Sequence, residues 1–186
     1  MVLKIAQLGQ PVLRQRALEV SVEEINTPTF QQLVDDMLTT LAEEKGAGLA
    51  GPQVFVGKRL FLAGVLPPAE PEEAPGVEVF INPRIVAVSS EKASSWEGCL
   101  SFPELMVLVP RFQAVRLQYL NRHGEPQTLE LHGFPARVIQ HETDHLDGVL
   151  TLDRAASTKD IIKASEIDAV EEEDEETSEE GYQPEA

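Results

Sequence analysis

The chain has 186 residues, 42% of them apolar and 25% charged, with a formal net charge of −17. That length suits one domain plus a tail, and the apolar share suffices for a core. No apolar run approaches the ~18–20 residues that cross a bilayer, and the excess of acid argues against general affinity for nucleic acid or an anionic membrane.

In chain order, Met1 to Ala6 leads into a polar stretch with no small-residue cleavage site, so neither a signal nor a transit peptide is expected. A cytoplasmic setting follows, bacterial or phage-like, with a processed organelle enzyme as the other option. The short segment Pro11-Val12-Leu13-Arg14 carries no long period. Thr27-Pro28 predicts a helix start with Pro28 near the first helical position. Phe30, Leu33, Val34, Met37, Leu38 and Leu41 then recur at three- and four-residue steps, which gives the helix one apolar face. Gly46 is its natural stop.

The segment Gly46-Ala47-Gly48-Leu49-Ala50-Gly51-Pro52-Gln53 follows. It lacks the Lys-Ser/Thr ending of a phosphate loop. It reads either as a plain glycine-rich turn or as backbone that a substrate can approach closely, with the Gln53 carboxamide able to face an oxyanion. Arg59 to Val65 reads as a buried strand, 66–76 as an exposed loop rich in Pro and Glu, and Val77 to Pro83 and Ile85 to Val88 as further strand. Ala114 to Leu120 alternates as a half-buried strand does, Asn121 to Gly124 turns, and Gln127 to Leu131 returns. A second helix is expected from about Pro135 to Asp147, ended by Gly148. The whole reads as an α+β domain, mixed or antiparallel strands around a central helix that carries the candidate metal ligands.

That helix contains Gln140-His141-Glu142-Thr143-Asp144-His145. Histidines at i and i+4 leave one helix face and can grip one divalent metal, while Glu142 beside them can carry a proton without being a ligand. The alternative is two polar positions on an exposed face; Val138, Ile139 and Leu146 argue instead for a largely buried helix, where imidazoles need partners. Cys99 is the single cysteine, so no internal disulfide forms, which fits a reducing compartment. In Glu97-Gly98-Cys99-Leu100-Ser101 it is either a small buried hydrophobe or a thiolate ligand. Two imidazoles and a thiolate would leave a fourth tetrahedral position open for water, and ferrous iron, zinc, nickel or cobalt could occupy such a site. His123 and His132 read as surface or strand-edge residues and Trp96 as a packing residue. Asp144 orients a neighbour or is simply solvated, and Arg111 binds substrate or braces a loop.

The three segments in this order, Gly-x-Gly-Leu-Ala-x-Pro-Gln, Glu-Gly-Cys-Leu-Ser and Gln-His-Glu-x-Asp-His, resemble peptide deformylase, the family that removes the N-formyl group from nascent chains. The resemblance runs from about Lys4 to Asp153 and includes Ile81-Asn82-Pro83 and Leu146-Asp147-Gly148-Val149-Leu150. Ser101-Phe102-Pro103 and Pro135-Ala136-Arg137 look closer to the plant and cyanobacterial branch. The resemblance implies Cys99, His141 and His145 as ligands of one divalent metal, ferrous iron before zinc, nickel or cobalt. It implies Glu142 as general base and then acid, and Gln53 with the Leu100 N–H as oxyanion donors. Gly46 and Gly48 would lie along the substrate peptide, pairing with it like an added strand, and Phe134 and Val138 would line the methionine pocket. N-formylmethionyl nascent peptides are the implied partners, and a monomer is expected.

Two positions depart from the family. Gly51 stands where the first motif usually has Ala, and lost packing there would loosen the turn that positions Gln53. The C-terminal helix of many bacterial members is replaced by acid: from Ala164 onward there are eleven acids and no Lys or Arg, which leaves 21 acids against 15 bases in the rest. The run Glu171 to Glu176 cannot bury enough apolar surface to offset its ordering. We therefore expect a catalytic domain over 1–160 and a disordered acidic tail over 161–186, which RNA phosphates would repel, so that ribosome docking through it is not expected. The competing readings are a metallopeptidase built on the same helix, which usually takes its third ligand downstream, and a non-catalytic relative braced by the metal.

Overall fold

A computed structural model describes residues 1–67 and 74–170. Three α-helices and eight strands appear among them: α1 (Val22–Ile25), α2 (Pro28–Glu44), α3 (Gly133–Leu146), β1 (Gly48–Ala50), β2 (Leu60–Leu66), β3 (Gly76–Val88), β4 (Lys92–Gly98), β5 (Leu105–Phe112), β6 (Ala114–Leu120), β7 (Pro126–His132) and β8 (Ile161–Lys163). Short 3-10 turns join them, at Gly51–Val54 and Thr151–Arg154 among others. One sheet has the order β1-β2-β3-β6-β7 and the other β4-β5-β8. Every strand pair in both is antiparallel, so the expected α+β domain with antiparallel strands is present.

The two-residue period of β2 and β3 sorts their side chains onto two cores. Leu60 and Leu62 of β2, with Val79 and Ile81 of β3, meet the apolar face of α2 through Phe30, Val34, Met37 and Leu41. Phe61, Ala63 and Val65, with Phe80, point the other way and meet Ala136, Val138, Ile139 and Leu146 of α3. Phe80 bridges Phe61 and Tyr119, with ring centroids 4.9 and 4.5 Å apart. The three-stranded sheet reaches α3 from the far side: both polar ends of the Gln140 side chain bond the backbone of Phe112 at 2.9–3.0 Å. α3 therefore lies between the sheets, covered on both flanks.

α2 begins as expected, with the Thr27 hydroxyl accepting the Phe30 N–H, but it stops at Glu44 with Lys45 as the left-handed cap (φ 53) rather than at Gly46. The two strands expected at 77–83 and 85–88 form one strand, β3. Asn82 (φ 51) and two register shifts against β6 bend it without ending it. β4 and β5, expected only as strand-like stretches without bounds around Cys99, form a hairpin on either side of the Cys99 turn. Past the boundary expected at 160, Ile161–Lys163 pair with Val107, Met106 and Leu105, and the Ala164 N–H donates to Glu104 O. The tail residues 171–186 and loop residues 68–73 lie outside the described residues.

Candidate metal centre

Three backbone devices assemble the site. Cys99 follows the last residue of β4 and opens a turn closed by the Phe102 N–H on Cys99 O at 3.0 Å. Gln53 lies in the 3-10 turn after β1, where its Oε1 accepts the Ala50 N–H at 2.8 Å. The N-terminal segment clips these turns together: the Ala6 N–H donates to Gln53 O at 2.7 Å and the Leu8 N–H to Ser101 O at 2.8 Å. His141, Glu142 and His145 come from the middle of α3.

The ligand atoms of Cys99, His141 and His145 lie within 4.8 Å of one another. Cys99 Sγ is 3.3 Å from His145 Nε2. Tetrahedral ligation by sulfur and nitrogen at ordinary bond lengths sets such atoms about 3.6 Å apart, so a divalent cation fits the trio. His141 Nδ1 is occupied by Glu97 Oε2 at 2.9 Å, which leaves Nε2 for a cation. The buried Glu142 Oε2 and His145 Nδ1 have no hydrogen-bond partner among the described residues.

Behind the cluster runs a buried chain of charge. Glu97 takes both Arg111 Nε and Nη2, at 2.9 and 3.0 Å, and Arg137 Nη1 at 2.7 Å. Arg111 Nη1 then donates to Asp144 Oδ2 at 2.6 Å, and Arg154 completes Asp144 from the Thr151–Arg154 turn. Arg111 thus braces the site rather than meeting substrate, and Asp144 is held in this chain rather than left to solvent. Sequence reasoning assigned no role to Glu97; the available signal was an arginine, Arg111, in the otherwise apolar run Leu105–Phe112.

Burial disfavours the Glu97 carboxylate, but the His141 and Arg111 hydrogen bonds outweigh it and hold the pKa near 2. For His141, burial likewise opposes the charge, and contacts with Cys99 and Glu97 push its pKa to about 10. Burial, then the nearby His141 charge, hold His145 well below its ordinary value. Burial lifts Glu142 to about 7, above the opposing pull of His141.

A cavity of about 340 Å³ opens onto Cys99 and His141, walled by Gly46, Gly48, Gln53, Leu100, Val138 and Glu142 among others. Phe134 and Trp96 also line it: Phe134 is 64% exposed, and Trp96, expected as packing, is half-buried there. β1 and β4 are the edge strands of their sheets. His123 and His132 are exposed, as expected. A Cβ at Gly51 would meet Lys58 O at 2.8 Å and Val56 O at 2.9 Å. The expectation that Gly51 loosens this turn is therefore corrected, because the carbonyls already close around it.

A buried thiol and two imidazoles able to hold a cation, with an unpartnered carboxylate and a carboxamide on the same cavity wall, define a metal-dependent hydrolase. The family model for polypeptide deformylase matches residues 2–160. Peptide deformylase 2 of Nostoc sp. is 46% identical over 88% of this chain and 92% of its own, in keeping with the cyanobacterial branch, and peptide deformylase 2 of Xanthomonas campestris is 43% identical over 84% and 89%. The Met-Ala-Ser-bound class I type b peptide deformylase of Acinetobacter baumannii is similar at a TM-score of 0.76 and 39% identity, over 83% of this chain and 98% of that one. The actinonin complex of a Synechococcus elongatus peptide deformylase gives 0.75 and 37%, over 85% and 81%. The chain belongs to the peptide deformylase family: it is an enzyme, and its activity is removal of the formyl group from N-formylmethionyl polypeptides.

Proposed function

We propose that deformylation proceeds at the Cys99–His141–His145 trio, with Glu142 as the proton carrier and ferrous iron as the cation held, zinc, nickel or cobalt being able to replace it. A cation held there supplies Lewis acidity toward water and the formyl oxygen. Glu142 Oε2, free of protein partners, accepts the proton of the attacking water. Glu142 then gives that proton back to the amide nitrogen as the C–N bond breaks, releasing formate and a free amino terminus. Gln53 Nε2, now 3.3 Å from Ser101 Oγ, and the Leu100 N–H donate to the formyl oxygen as charge develops on it.

The peptide lies in the cavity between the free edges of β1 and β4, with Gly46 and Gly48 along its backbone. Val138 and Phe134 contact the methionine side chain. A formyl carbon, bearing only a hydrogen, makes the smallest steric demand of any acyl group beside the cluster. The Met-Ala-Ser complex of the A. baumannii relative supports this class of ligand. The folded domain under this reading spans 1–166, with the acidic remainder outside catalysis.

The observation that carries the proposal is the convergence of a two-imidazole, one-thiol trio with the unpartnered Glu142 Oε2. The test is formate release from a formyl-Met tripeptide by the ferrous protein handled without oxygen, with the unformylated tripeptide as control for peptide-bond cleavage. Formate without cleavage is expected. Cleavage of the control would favour a peptidase, and no formate from folded, metal-loaded protein would reject the assigned site. Glu142→Ala should keep its metal and lose about 10²–10⁴-fold in kcat; metal content by elemental analysis and full turnover together would sink the role of Glu142.

A further inference from the structure

The charged groups behind the trio are held by hydrogen bonds, whereas the Glu142 carboxyl group is not. Glu97, Asp144 and Arg111 each have several partners, and Gln53 has Ala50 and Ser101. Glu142 Oε2 has none among the described residues, although the side chain is 4% exposed. A proton carrier has to sit within a fraction of an ångström of its water, so what packs against its carboxyl group matters.

Gly48 supplies a candidate. A Cβ built there finds Glu142 as its three nearest heavy atoms: Oε1, then Cδ at 2.6 Å and Cγ at 2.8 Å. Those distances are well inside the 3.5–4.0 Å at which carbons rest. Backbone conformation does not demand glycine: Gly48 is a strand residue paired with Ala63 and is not among the positive-φ glycines. Any residue could adopt that backbone, so what distinguishes the position is the carboxyl group lying in the space a Cβ would take.

Neither wall can retreat. β1 is fixed by its pairing to β2, by the Gly64 N–H on Ala47 O at 2.9 Å, and by the fully buried Leu49 and Ala50. α3 is pinned by Gln140 on Phe112 and by Asp144 on Arg111. A methyl group at position 48 therefore leaves the Glu142 side chain to move.

We infer that Gly48 is a positioning residue for Glu142: its bare Cα is the seat that holds Oε1 and leaves Oε2 directed to the reaction. The inference rests on the proposed role of Glu142 as proton carrier. It adds to the backbone contact with the peptide a steric function toward the carboxylate.

The test is Gly48→Ala, alone and combined with Glu142→Ala. In the parent background kcat should fall about 100-fold with KM little changed, as for a displaced catalytic group. A rise in KM at unchanged kcat would overturn the inference and leave Gly48 a peptide contact only. A second readout needs neither metal nor turnover. Thermal unfolding of the four metal-free proteins should show a lower Tm for Gly48→Ala in the parent and no loss in the Glu142→Ala background, where the obstacle is gone. Equal losses in both backgrounds would overturn the contact. Full activity of Glu142→Ala alone would remove the catalytic meaning of the seat, and the melting cycle would separate that failure from a failure of the contact.

Discussion

At position 51 a methyl group has no room. Lys58 O, Val56 O and Leu60 Cδ2 surround the site of a Cβ at 2.8–3.0 Å, and the Val56 N–H closes back onto Gly51 O at 2.9 Å. Two of the three neighbours are backbone, so they cannot swing aside. Gly51→Ala, although it restores the residue usual in the family, should destabilise this chain by about 1–3 kcal/mol, as overpacking does, and shift Gln53, lowering kcat. Denaturant unfolding and formate release measure the two effects. A Gly51→Ala protein as stable as the parent would mean that the Val56–Lys58 segment relaxes freely. Sequence reading at this scale found the residues with unusual chemistry, Cys99, His141, Glu142 and His145, because spacing and scarcity mark them. It misjudged Gly51, because the space around a glycine is set by residues five to nine positions away whose carbonyl directions no composition reveals.

Elements explain why a lone cysteine and a helix forty residues later meet. β4 and β5 form a hairpin whose buried charges face α3, and Arg111 alone joins Glu97 of β4 to Asp144 of α3. Arg111 is 4% exposed. Arg111→Met should cost about 3 kcal/mol, since it strips buried carboxylates of a partner, and weaken cation retention roughly tenfold by freeing the His141–Glu97 pair. Denaturant midpoints and competition with a chelator read these separately, and retention equal to the parent would confine Arg111 to folding. The bounds of this hairpin were illegible in the sequence for a physical reason. Lys92-Ala93-Ser94-Ser95 is polar on both faces, so no alternation announces β4, and the strand exists because β5 pairs with it. By contrast α2 was legible, since its apolar stripe and its Thr27 cap are local.

The same scale carries a pH prediction. Tyr119, 8% exposed and stacked on Phe80, has its pKa raised to about 12 by burial and by Glu78. The folded state therefore holds this proton at pH values where the unfolded chain, titrating near 10, has released it. The stability it contributes is complete below about pH 10 and is lost as pH rises through about 12. Tyr119→Phe should flatten that part of the stability curve, and the phenolate absorbance of the parent should rise only near its unfolding. A tyrosine that ionises near 10 with the fold intact would contradict the burial.

For the molecule as a whole, the order of layers is α2, five-stranded sheet, α3, three-stranded sheet, and the last of these depends on a strand that composition places in the acidic tail. Ile161 and Ile162 are followed by Lys163 and then by acid alone, so a reader of charge draws the boundary at 160. β8 nevertheless covers the outer edge of β5 at Leu105, Met106 and Val107, and Val107 is fully buried. Leu105 in turn borders the small core of Ala6, Leu13, Cys99, Phe102 and Leu150, which backs the ligand turn. A chain ending after Glu166 should therefore melt and turn over like the full chain, because it sheds charge and keeps every pairing described. A chain ending after Asp160 uncovers an apolar edge strand beside Cys99, and such edges pair with other chains. It should melt lower, aggregate on warming and hold its cation less well. Calorimetry, light scattering and metal content of the two truncations decide the matter. Equal behaviour would return the boundary to 160, whereas loss of activity on ending at 166 would assign the acidic segment a part in the fold or in catalysis.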